Sequence, residues 1–128
     1  MILDTSAVVS ILLREHGHES LLEHLAPHRA PGIGAPTLCE AGAVLTTRLG
    51  VQARTLLARF VEEAGIVVIP FGDEHWPIAV DAFRRFGKGR HEARLNFGDC
   101  LTYATARLAD EPLLALGDDF AKTDLELV

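Results

Sequence analysis

Four acids stand where the chain should change direction. Asp4 follows the apolar pair Ile2–Leu3, and Glu40 lies early in a helical stretch. Asp99 comes directly after Gly98, and Asp118 comes directly after the apolar run LLALG. A carboxylate at such a boundary has a modest explanation, the capping of the helix that follows. Four at comparable boundaries suggest a shared site. Two carboxylates about 6 Å apart at an effective dielectric near 20 repel by roughly 3 kcal/mol. Their convergence therefore needs either raised pKa values or a bound cation. The donors are all oxygen, with no cysteine or evident histidine among them, which selects Mg²⁺ or Mn²⁺ over zinc. Such an ion acidifies water and stabilises a leaving oxygen, so the economical chemistry is metal-assisted hydrolysis of a phosphodiester. There is no serine–histidine–acid set for a covalent route, and no glycine-rich nucleotide loop.

The surrounding elements must bring these acids together. MIL reads as a strand buried on both faces, with Ser6 capping a helix that carries Val8, Ile11 and Leu12 and fades near Glu15. A short helix bearing Leu21, Leu22 and Leu25 ends at Pro27. The glycines and prolines of APGIGAP mark a loop or short edge strand, and a helix runs from about Thr37 to Gly50 with Glu40 turned largely inward. A further amphipathic helix carries Ala53, Leu56, Leu57, Phe60, Val61 and Ala64 and offers core or a subunit surface. IVVIP reads as a fully buried strand. Asp73 and Pro77 open a helix whose stripe of Trp76, Ala79, Val80, Phe83 and Phe86 reads as core. Residues 87–99 read as an exposed basic loop, Asp99 opens the next helix, LLAL is another buried run, and LELV could form a last strand. Strands alternating with helices predict an α/β fold, a parallel sheet with helices on both faces, whose carboxyl edge would gather the four acids.

Composition narrows the field. With 128 residues and 48% of them hydrophobic, one globular domain spanning residues 1–128 is expected. The two cysteines, Cys39 and Cys100, read as small buried residues of a reducing cytoplasm, with no leader and no membrane span. A net charge of −6 argues against indiscriminate binding of nucleic acid. Arg84, Arg85, Lys88, Arg90 and Arg94 nevertheless form a local basic segment, in which Arg85 and Arg90 could guide a phosphate backbone. The histidines His16, His18, His24 and His28 lack a dependable zinc spacing and read as solvated surface.

Four stretches, MILDTSAVVSIL, APTLCEAGAVL, LNFGDCLTYATA and LLALGDDFAKTDL, together resemble the PIN-domain ribonucleases, and within them the VapC-type toxins of toxin–antitoxin pairs. The resemblance implies a three-layer α/β/α fold and Mg²⁺- or Mn²⁺-dependent endonucleolytic cleavage of RNA. It makes Asp4 and Asp99 the principal metal ligands. Glu40 helps to hold the metal or activate its water, and Asp118 completes the set with Asp119 as stand-in. Thr5, Ser6 and Asn96 support the site by hydrogen bonds. It also implies a homodimer and a VapB-type antitoxin that pushes an arginine into the acidic pocket. Two other readings of the residues stay open: a non-catalytic binding module of the same fold, and a Mg²⁺-dependent phosphatase. The phosphatase would want an aspartate where Ser6 stands.

Overall fold

A computed structural model describes residues 1–128. The elements run β1 (Ile2–Leu3), α1 (Thr5–Leu12), α2 (His18–Leu25), β2 (Gly32–Gly34), α3 (Ala35–Leu49), α4 (Gln52–Glu63), β3 (Val67–Ile69), α5 (His75–Phe86), α6 (Phe97–Ala109) and β4 (Leu113–Leu114), followed by one 3₁₀ turn at Phe120–Lys122. The four strands form a parallel sheet in the order β3-β2-β1-β4.

Side chains alternate across a strand, so adjacent residues feed opposite cores. Leu3 and Leu114 join Val8, Ile11, Leu21, Leu25, Ile33, Leu45 and Leu57 on the face covered by α1 to α4. Ile2 and Leu113 join Ala82, Phe86, Leu95, Tyr103 and Phe120 on the face covered by α5 and α6. This is the expected three-layer α/β/α arrangement. Each fully buried leucine or isoleucine stabilises it by about 1.5–3 kcal/mol. No helix is long and apolar enough to cross a membrane.

Several local expectations change. The GIG segment is a strand, and an interior one. Its glycines are needed for close approach: a Cβ on Gly34 would lie 2.7 Å from Thr105 Oγ1, and one on Gly32 would lie 2.8 Å from Ile69 Cδ1. IVVIP is not fully buried, because β3 is an edge strand with Val67 52% and Val68 42% exposed. The loop after α5 is not wholly exposed. Ala93 and Leu95 are buried, and Leu95 bridges to Gly87. LELV contributes only a parallel bridge, Leu127 to Leu113. Cys39 is exposed, whereas Cys100 is buried. The α5 stripe is only partly core: Trp76 (57% exposed) joins Phe71, Val80, Phe83, Phe97 and Leu101 around an open apolar groove between α5 and α6. On α4, Leu57 faces inward and belongs to the core, while Leu56, Phe60 and Val61 are half-buried.

Candidate active site

The carboxyl ends of β1 and β4 meet where Asp4 N donates to Leu114 O at 3.0 Å. The expected cap and the expected acid of the first helix turn out to be one residue. Asp4, not Ser6, caps α1, with Oδ2 accepting from Ser6 N at 3.0 Å and from Ser6 Oγ at 2.7 Å. Ser6 Oγ in turn accepts from Leu116 N at 2.9 Å and ties the chain leaving β4 to the same corner. Asp4 is 5% exposed, and the cap keeps its buried carboxylate aimed at the sheet edge.

Glu40 comes from the second turn of α3 and is half-buried. Thr5, the first residue of α1, donates its hydroxyl to Glu40 Oε1. Glu40 Oε2 lies so close to Gly98 that a side chain there would displace the glutamate carboxylate, so the glycine of NFGD makes room for the second acid beside the start of α6.

Asp99 is not the first residue of its helix. Asn96 caps α6, accepting from Asp99 N at 2.8 Å, while Asp99 Oδ2 accepts from Asn96 N at 3.0 Å. This reciprocal box fixes the orientation of Asp99. Burial pushes the Asp99 carboxyl up to about 6, against the Asn96 backbone hydrogen bond that favours its charge. The negative charges of Asp4, Asp119 and Glu40 push it further in the same direction. Three acids from three other segments therefore act on the fourth. From the GDDF turn the charge that acts on Asp99 is that of Asp119, which caps the 3₁₀ turn. Asp118, the expected residue, is exposed like Asp119, but its charge is not among those acting on Asp99. The two are adjacent in one turn, and the sequence offers no periodicity to rank them.

No three acidic, histidine or cysteine side chains stand close enough, as they lie, to enclose an ion. Each carboxylate is instead turned to a protein donor: Asp4 to Ser6, Glu40 to Thr5, Asp99 to Asn96. The donor set still fits Mg²⁺ or Mn²⁺. Such an ion keeps several waters and needs only one or two carboxylates from the protein, and the crowding of charge at Asp99 favours a cation nearby.

The basic segment divides. Arg85 is engaged: Nη2 donates to Asp124 Oδ2 at 3.1 Å and the guanidinium lies 4.6 Å from the Phe86 ring centroid. Arg84 pairs with Asp81 on its own helix. Arg90 is exposed and lies 5.6 Å from the Phe83 ring centroid. The histidines near α2 gather no ion site; His18, His24 and His28 each set Nδ1 against a nearby backbone carbonyl.

A model of the PIN domain matches residues 1–126. Ribonuclease VapC36 of Mycobacterium tuberculosis is 51% identical over 127 residues, covering 98% of this chain and 91% of that protein. The chain belongs to the VapC ribonucleases of the PIN domain family. Ribonuclease VapC of Mycolicibacterium smegmatis is 34% identical over the whole of this VapC-family chain and 99% of its own. Among solved structures, M. tuberculosis VapC20, a sarcin–ricin loop cleaving toxin, superposes with a TM-score of 0.77 at 18% identity, covering 99% of this chain and 97% of that one. VapBC2 from Rickettsia felis, bound to a DNA fragment from its promoter, gives 0.76 at 18% identity, covering 99% and 96%. At that identity the two structures attest the VapC fold alone.

Proposed function

We propose that this VapC-family ribonuclease is the toxin of a toxin–antitoxin pair, that it cleaves RNA endonucleolytically, and that it depends on Mg²⁺ or Mn²⁺. The observation that carries the metal dependence is the gathering of like charge from Asp4, Asp119 and Glu40 on Asp99, which adds to burial in raising its carboxyl to about 6. Asp4 and Asp99, held by Ser6 and Asn96, are the principal ligands, and Asp119 takes the role expected of Asp118. When bound, a divalent ion supplies acidified water and offsets charge developing on the phosphate. Glu40, oriented by Thr5, is placed to hold or accept a proton at its Oε2 beside Gly98. Arg90, with Lys88 and Arg94, guides the phosphate backbone, while the guanidinium of Arg85 is committed to Asp124. The partners are an RNA substrate, a second copy of the chain and a VapB-type antitoxin in the cytoplasm. An antitoxin arginine would pair with the carboxylates that the ion otherwise occupies.

Incubating the purified protein with RNA, with and without EDTA, tests this reading. Cleavage that needs free divalent metal supports it. A non-catalytic module would cleave in neither condition, and a phosphatase would release phosphate from small esters while leaving RNA intact.

A further inference from the structure

Asp119 sits on a stretch with little secondary structure, between β4 and the chain end. Something must fix where it stands. Upstream, Leu116 N is held by Ser6 Oγ. In the middle, Phe120 is buried against α5 and α6. Downstream lies an arrangement that the acidic site does not use. Asp124 Oδ1 accepts from the Tyr103 hydroxyl at 2.7 Å, and Oδ2 accepts from Arg85 at 3.1 Å with Arg107 Nη2 at 3.7 Å. Tyr103 is almost fully buried, and its ring packs against Phe86 with centroids 5.8 Å apart. One carboxylate thus joins the C-terminal stretch to α5 through Arg85 and to α6 through Tyr103 and Arg107. Tyr103 lies one helical turn beyond Asp99, so the clasp references the segment carrying Asp119 to the helix carrying Asp99. Between clasp and acid the path is short and hydrogen-bonded: Thr123 N and Oγ1 both donate to Phe120 O, and Thr123 Oγ1 accepts from Leu125 N.

We infer that the Tyr103–Asp124–Arg85 clasp is a positioning device for the acidic site, setting the place of Asp119 relative to Asp99 and thereby the site's affinity for a divalent cation. The inference rests on the metal-dependent reading above. The clasp residues touch neither ion nor substrate. They act through Asp119, so their removal should matter only while Asp119 carries its charge.

The test is a double-mutant cycle read by Mn²⁺ binding to the metal-free full chain, followed by electron paramagnetic resonance without RNA. Tyr103→Phe keeps the ring and removes only the hydroxyl. It should weaken Mn²⁺ binding roughly threefold to tenfold, as expected for coupled groups. Asp119→Asn should weaken binding at least as much, and Tyr103→Phe added to Asp119→Asn should weaken it no further. Asp124→Glu, which preserves the charge, should recover part of what Asp124→Asn loses. If Tyr103→Phe folds poorly by circular dichroism, Asp124→Asn takes its place in the cycle. An equal loss on both backgrounds, or no loss in either clasp variant, would overturn the positioning role while leaving the metal site intact. Absence of Mn²⁺ binding by the unaltered protein would instead remove the metal-dependent reading, and the clasp's role with it.

Discussion

Asp99 carries the site's electrostatic cost. Its carboxyl titrates near 6 in the folded chain, above the ordinary 3.8. The folded form therefore holds its proton more tightly than the unfolded form does. Without metal, this residue should leave the protein most stable below about pH 4, with stability falling as pH rises toward 6 and the loss complete above that. The full shift corresponds to about 3 kcal/mol, which solvent screening of a half-exposed group reduces to about 1 kcal/mol. Asp99→Asn should therefore raise metal-free stability at pH 7.5 by about 1 kcal/mol and abolish RNA cleavage. The gain should vanish near pH 4, a pattern that urea melts at the two pH values would check. A variant less stable than wild type at pH 7.5 would mean that burial and like charge do not penalise the Asp99 carboxylate. At this scale Asp4, Glu40 and Asp99 were legible because each acid sits at an apolar or small-residue boundary. Asp118 and Asp119 could not be ranked, since neighbouring turn residues share every sequence feature. Asp124 escaped notice because its partners lie on two helices, 21 residues away at Tyr103 and 39 at Arg85.

Elements place these residues through their ends. The Asn96 cap serves both the stability of α6 and the aim of Asp99. Asn96→Ala should cost about 1 kcal/mol of stability, measurable by thermal melting, and should lower cleavage more than that loss explains. The sheet centre depends on absent side chains. Gly34→Ala would drive a methyl against Thr105 Oγ1 on α6 and should destabilise the fold by roughly 1–3 kcal/mol. Stability unchanged by that methyl would show that α6 can back away from the sheet. The same glycines explain why GIG reads as a loop or short edge strand in sequence: close helix–sheet approach and chain reversal both call for glycine. Hydrophobicity alone also could not tell that IVVIP lies at an edge, because burial depends on which strands flank it. Trp76 and Val80 (61% exposed) show the limit of the period-based reading, which finds an apolar face without saying whether anything covers it.

For the whole molecule, charge is distributed by function rather than by sum. The chain has a net charge of −6, yet Lys88, Arg90 and Arg94 stand together with only Glu92 against them in the stretch from 88 to 94. Reversing charge at Lys88 and Arg90 should flatten the dependence of RNA binding on salt by about two phosphate contacts, while Mn²⁺ affinity in the absence of RNA stays as it was. An unaltered salt slope would take these cations out of the RNA path. The layered α/β/α plan was readable from alternating strands and amphipathic helices, and it is this plan that carries separate acids to one sheet edge. The most direct test of that convergence is the rate of cleavage of a defined RNA as Mn²⁺ is titrated into metal-free protein, for wild type and Asp99→Asn together. The wild-type rate should rise from nothing to a plateau while the variant stays silent at every concentration. Wild-type cleavage without metal, or a variant that matches it, would contradict the account.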